Sequence, residues 1–129
     1  MDYNKQRSNE SMEDYLETIL ILHEKSANVR SIDIANELGF TKASVSVAMK
    51  NLREKDYIHV QDGGFIELTA AGEKIAKSVY ERHTILSQML INLGVTPEVA
   101  LEDACKIEHF LSKESFNAIK RHLKEKGSK

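Results

Sequence analysis

The sequence predicts a mainly α-helical chain with one short β hairpin set into its first half. Three observations carry this. Apolar residues recur at three- and four-residue spacing along most of the 129 residues, Pro97 is the only proline, and residues 57–68 alternate instead around a glycine pair. Residues 1–10 are polar and expected to be frayed, and Ser11-Met12-Glu13-Asp14 reads as a helix start with acids in its first turn. Tyr15, Ile19, Leu20 and Leu22 then carry an apolar stripe to about His23. A second helix is expected over Ser31–Leu38, opening on a serine cap and Asp33, burying Ile32, Ile34, Ala35 and Leu38, and stopping at Gly39. Thr41 caps a third helix from Lys42 to about Lys55, with Val45, Ala48, Met49 and Leu52 on its buried side.

The tight Gly39-Phe40-Thr41 joint between two short helices has the spacing of a helix-turn-helix. Tyr57-Ile58-His59-Val60 and Phe65-Ile66-Glu67-Leu68 flank Gln61-Asp62-Gly63-Gly64, a hairpin turn whose glycines supply positive φ. Helix-turn-helix plus hairpin makes a winged helix. The outward face of the third helix is small, polar or basic, with Lys42, Ala43, Ser46, Val47 and Lys50, as close approach to base edges and phosphates requires. Thr41, Lys42, Ala43, Ser44, Ser46 and Lys50 are the candidate DNA-facing residues. Formal net charge is −2, so any DNA-binding face is a local basic patch on an acidic body. Glu54 and Asp56 dilute the Lys50, Arg53 and Lys55 cluster, which points to a monomer of modest affinity that needs dimerisation.

From Ala70 to about Leu93 the helical period resumes, with Ile75, Val79, Leu86, Met89 and Leu90 as a seam and Gly94 as the stop. Thr96-Pro97 starts a further helix, expected to run through Cys105, Glu108 and His109 to Leu111, and Ser112 caps a last one to about Lys126. These helices carry more apolar surface than the winged helix needs, which a self-complementary homodimer explains. The expected architecture is an N-terminal winged helix-turn-helix over residues 1–70, followed by an α-helical metal-binding and dimerisation domain over 71–129. No apolar run approaches the length of a membrane span and no signal peptide is legible, so a cytoplasmic protein is expected.

Cys105-x-x-Glu108-His109 places a thiol, a carboxylate and an imidazole three and four residues apart, so on a helix all three share one face. Cys105 is the only cysteine, so its use is as a soft ligand or as filler. Asp14 and Glu17 lie three apart on the first helix, and His83 lies on the long helix, which gives six candidate ligands in all. Each has a plain structural alternative: Asp14 as a helix N-terminal charge, Glu17 as a solvated side chain, His83 as a polar residue at a helix edge.

The ordered set Ser11-Met12-Glu13-Asp14-Tyr15-Leu16-Glu17, the Ser31–Leu52 helix-turn-helix, Leu68-Thr69-Ala70-Ala71-Gly72, Arg82-His83 and Glu108-His109-Phe110-Leu111-Ser112 resembles the diphtheria toxin repressor family, most closely its short branch of manganese transport regulators. The resemblance covers about residues 11–125. It implies a homodimer whose winged helices bind palindromic double-stranded operators once a divalent metal sits between the DNA-binding and dimerisation lobes, repressing metal-uptake genes. It also implies a manganese-type site of Asp14, Glu17, His83, Glu108 and His109. One position departs: Cys105 stands where manganese regulators have a carboxylate, as in the iron-responsive members, whereas Asp14 stands where those members have methionine. The full-length iron-responsive members also have an ancillary site and a C-terminal SH3-like domain; Leu101 and Ser87 fall where the ancillary ligands would be and the sequence ends before a third domain, so neither is expected. Carboxylates and imidazole suit Mn²⁺, whereas a thiolate pulls preference toward Fe²⁺, Co²⁺ or Zn²⁺, so Mn²⁺ or Fe²⁺ is the expected ion, with Co²⁺ or Zn²⁺ binding in vitro.

Two rivals follow from the same residues. A winged-helix regulator sensing oxidants through Cys105, or an organic ligand, would need no metal. A metal-dependent hydrolase would need an open coordination position and a nucleophile motif, and none accompanies the ligands, so no enzyme is expected.

Overall fold

The computed structural model describes the backbone of residues 3–127 and the side chains of residues 11–125. Within these the order is α1 (Tyr3–Lys25), α2 (Ser31–Leu38), α3 (Lys42–Glu54), β1 (Ile58–Val60), β2 (Ile66–Leu68), α4 (Ala70–Asn92), α5 (Pro97–Ile107) and α6 (Lys113–Gly127). The chain divides into two compact units, residues 1–77 and 78–129.

In the first unit, α1 starts well before Ser11. Residues 4–10 hold no glycine or proline to stop a helix, so the turn propagates backwards and Glu13 and Asp14 fall mid-helix instead of at its positive end. The expectation for residues 1 and 2 lies outside the described residues. Leu16, Ile19, Ile34 and Val45 have no exposed surface and pack with Met49, Leu52, Ile58 and Ile66 into one core. Each such side chain stabilises by about 1.5–3 kcal/mol on burial.

Ser31 is the first residue of α2, not its cap: the Arg30 N–H donates to Asp33 Oδ2 at 2.9 Å. Ile32 is 38% exposed, because only Ile34, Ala35 and Leu38 of this short helix turn onto the core. Gly39 closes α2 at φ 71°, donating to the Ala35 carbonyl at 2.9 Å, and the Thr41 hydroxyl caps α3 by accepting from Ser44 N–H at 3.1 Å. Phe40, between them, meets Tyr15 edge-to-face at 6.0 Å.

The hairpin is antiparallel, with Ile58, His59 and Val60 opposite Leu68, Glu67 and Ile66. Gly63 and Gly64 take φ 88° and 83° at its turn, the left-handed region the sequence required. Its base is tied to α4 through Thr69. Thr69 N–H donates to the Tyr57 carbonyl at 3.0 Å, its hydroxyl donates to the Asp56 carbonyl at 2.7 Å, and the same hydroxyl accepts from Gly72 N–H at 3.1 Å.

In the second unit, Val79, Leu86, Ala100, Ala104 and Phe116 are buried. Gly94 follows α4 at φ 105°, Thr96 precedes Pro97 at the start of α5, and Ser112 Oγ caps α6 by accepting from Ser115 N–H at 3.1 Å. The α5 helix ends at Ile107 and does not continue to Leu111. Arg82 Nη1 donates to the carbonyls of Glu108 at 3.0 Å and Leu111 at 2.7 Å, so these oxygens are satisfied by a guanidinium and the chain is free to turn.

Candidate metal centre and nucleic-acid face

Three of the expected ligands converge within the second unit. Cys105 is on the last turn of α5, with its Sγ 3.6 Å from His83 Nδ1 on α4, and Glu108 Oε2 lies 2.9 Å from the same nitrogen. Donor atoms of His83, Cys105 and Glu108 all fall within 4.8 Å of one another. Glu108 Oε1 faces His109 Nε2 at 3.4 Å.

Cys105, Glu108 and His109 therefore do not lie on one continuous helix, because α5 ends at Ile107. Glu108 keeps helical dihedrals of φ −60° and ψ −28°, which carries its carboxylate alongside Cys105, while His109 belongs to the following turn. Arg82, which also lies over the Phe116 ring at 5.1 Å, holds that turn.

The electrostatics fit a cation. Glu108 is 1% exposed, and its Oε1 makes no hydrogen bond among the described residues. A buried carboxylate oxygen in that state costs free energy until a positive partner arrives. Cys105 first, then Glu108, favour a proton on His83 and push its pKa up to about 10, against the opposing effect of burial. A soft sulfur, an imidazole and a carboxylate are the donor set of a divalent first-row metal.

Asp14 and Glu17 stand one turn apart on α1 in the first unit, Asp14 half-buried and Glu17 buried at 9% exposure despite its charge. Ser87 is buried and donates to the His83 carbonyl at 2.7 Å, and Leu101 is 48% exposed.

On α3, Thr41, Lys42, Ala43, Ser44, Ser46 and Lys50 are all exposed, while Val45, Met49 and Leu52 fix the opposite face in the core. Thr41 and Ser44 are committed to the cap, the Thr41 hydroxyl donating to Ser44 Oγ at 2.9 Å. Lys42, Ser46 and Lys50 are left as the outward polar groups. Arg30 was passed over in the sequence: its guanidinium sits 4.4 Å over the Phe65 ring, beside the hairpin. No local signal pairs residues so far apart. Arg82 was likewise legible only as part of Arg82-His83, without its bracing role.

Residues 8–64 match the family model described as iron dependent repressor, N-terminal DNA binding domain, and residues 69–126 match iron dependent repressor, metal binding and dimerisation domain. Transcriptional regulator MntR of Escherichia coli O6:H1 is 35% identical over 120 residues, 93% of this chain and 77% of that protein. The chain belongs to the iron dependent repressor family. Another family relative, HTH-type transcriptional regulator MntR of Bacillus subtilis strain 168, is 37% identical over 109 residues, 84% of this chain and 77% of that protein. Among solved structures of the family, the manganese regulator SloR superposes with TM-score 0.78 at 27% identity, covering 88% of this chain and 53% of that one. A manganese-dependent transcriptional repressor in complex with manganese gives 0.79 at 26%, covering 87% and 52%. The chain thus spans about half the length of these solved structures.

Proposed function

We propose that this protein is a metal-dependent, DNA-binding transcriptional repressor that controls manganese or iron homeostasis genes, works as a homodimer on a palindromic operator in the cytoplasm, and has no catalytic role. The observation that carries the reading is the buried Glu108 carboxylate, with one oxygen unbonded, gathered with His83 and Cys105 in a chain that also presents Lys42, Ser46 and Lys50 on a helix-turn-helix. Relatives named as transcriptional regulators, and solved structures named as a manganese regulator and a manganese-dependent repressor, support it.

His83, Cys105, Glu108 and His109 would hold the ion, with Asp14 and Glu17 of α1 completing the set. A bound divalent ion, Mn²⁺ or Fe²⁺ in the cell and Co²⁺ or Zn²⁺ in vitro, supplies positive charge that offsets the mutual repulsion of these carboxylates. Carboxylates on α1 together with ligands on α4 and α5 link the DNA-binding and dimerisation lobes, so the ion favours the DNA-competent arrangement only by binding it more tightly than others. Recognition helices fixed in this way meet half-sites about 34 Å apart or a near multiple. A metal-independent sensor of oxidants or organic ligands is not favoured, since the unbonded, buried Glu108 oxygen gathered with His83 and Cys105 would then have no role.

The test is operator binding by chelator-treated protein against protein titrated anaerobically with Mn²⁺, Fe²⁺, Co²⁺ and Zn²⁺. Metal should tighten binding by roughly 5- to 150-fold, the usual range of allosteric coupling. Equal affinity with and without metal would refute the proposal.

A further inference from the structure

His23 lies on the last turn of α1, outside the expected metal site and the recognition helix, and is half-buried. Its Nε2 is 2.7 Å from the carbonyl oxygen of Ile66, the first residue of β2. A carbonyl only accepts, so Nε2 carries the proton and donates.

The pairing pattern of the hairpin explains why a side chain is needed there. Gln61 N–H donates to the Phe65 carbonyl at 2.8 Å and Thr69 N–H to the Tyr57 carbonyl at 3.0 Å. Hydrogen-bonded pairs alternate along an antiparallel ladder. Between these two bonds the Val60–Ile66 pair is therefore a non-hydrogen-bonded one, and both polar backbone groups of Ile66 point off the open edge of β2. Ile66 is 1% exposed, so water does not serve them. Its N–H donates to the Val29 carbonyl at 2.7 Å, and its carbonyl receives His23. The Arg30 guanidinium over Phe65 adds a third contact on the same side of the hairpin.

We infer that His23 is a positioning residue for DNA recognition: it fastens the wing to the end of α1, fixing the wing's pose relative to the recognition helix. The inference rests on the DNA-binding reading above. Without the donor, the Ile66 edge loses one of its two anchors and the wing swings on the other. Phosphate contacts that depend on the wing's position then weaken, while the metal ligands, at least six residues away along α1 or in the second unit, are untouched.

The experiment compares wild type, His23→Leu and His23→Gln. Gln offers an amide N–H near the position of the ring Nε2, and Leu offers none. Expected for His23→Leu with Mn²⁺ are roughly tenfold weaker operator binding, as when the wing occupies its binding pose only about a tenth of the time, and a shallower dependence of binding on salt concentration. His23→Gln should recover most of both. A cobalt titration should give the same metal affinity in all three proteins. Amide hydrogen exchange on the metal-free proteins should show the Ile66 N–H less protected in His23→Leu, with α3 amides unchanged. Wild-type affinity and salt slope in His23→Leu would overturn the inference. If His23→Leu does not fold, His23→Asn decides, because its shorter amide falls short of the Ile66 oxygen; wild-type behaviour there overturns the inference equally. Failure of the DNA-binding reading looks different: wild type itself shows no metal-dependent operator binding, while the exchange experiment still reports whether His23 holds the wing.

Discussion

Gly72→Ala should destabilise the protein, although the same change in an open helix stabilises by about 1 kcal/mol. Gly72 is in the first turn of α4, where it approaches the strand side of the wing. A Cβ there would overlap the Tyr57 carbonyl oxygen and lie 3.0 Å from its carbon and 3.3 Å from its Cα. Ordinary carbon contacts begin at about 3.5 Å, and all three atoms are backbone, so no side chain can swing aside. The segment at Tyr57 must retreat, which stretches the Thr69 N–H bond to Tyr57, now 3.0 Å, and the Thr69 hydroxyl bond to Asp56, now 2.7 Å. Two weakened hydrogen bonds cost about 1 kcal/mol each, and overpacking costs about 1–3 kcal/mol. Set against the gain in helix propensity, the net loss is about 2–4 kcal/mol, a fall in Tm of roughly 7–15 °C for a chain of this size. Thermal and urea unfolding followed by circular dichroism would measure it, on metal-free protein so that ligand linkage does not enter. A Tm at or above that of wild type would refute the close-approach argument.

Three further outcomes follow from the site and the recognition helix. Cobalt-loaded protein should show a sulfur-to-metal charge-transfer band that is lost in Cys105→Ser, while Cys105→Glu should shift preference toward Mn²⁺; an unchanged spectrum and unchanged affinity order in Cys105→Ser would make the thiol a bystander. Lys50→Ala should weaken binding to all DNA sequences alike and reduce the salt slope by about 0.9, which filter binding or fluorescence anisotropy at several salt concentrations would read. His83 is raised from its ordinary 6.5 to about 10, so in metal-free protein its pairing with Cys105 and Glu108 contributes stability that is full below pH 6.5 and lost as pH rises toward 10. Metal displaces that proton, so affinity should increase with pH across the same window and calorimetry in buffers of different ionisation enthalpy should register proton release; a pH-independent affinity contradicts it.

What could be read in advance follows physical range. The Thr41 cap, the Gly39 stop and the Gly63-Gly64 turn depend on neighbours in sequence, and α3 and the hairpin came out as the sequence indicated. Cys105 and Glu108 come close to His83, but not through helical spacing alone: that spacing predicts a helix through His109, whereas α5 stops at Ile107. Arg82, 26 residues from Glu108, satisfies the Glu108 and Leu111 carbonyls beyond that stop, and no local pattern announces it. The same holds for His23, 43 residues from its carbonyl partner, and for Ile32, whose apolar character suggested a burial that only the packing of α2 could refuse. The early start of α1 was missed because a polar stretch without breakers can extend a helix that is anchored further along.

Arg82 carries one more consequence. An arginine beside a buried carboxylate usually forms a lasting ion pair with it, and since guanidinium does not deprotonate in proteins, such a pair would close the site for good. Here the guanidinium is directed at the backbone carbonyls of Glu108 and Leu111 instead. The carboxylate's near partners are imidazoles, His83 at 2.9 Å and His109 at 3.4 Å. Imidazole can surrender its charge and remain as a ligand. The site therefore keeps a removable counter-charge at its buried carboxylate, and Glu108 stays buried and still available.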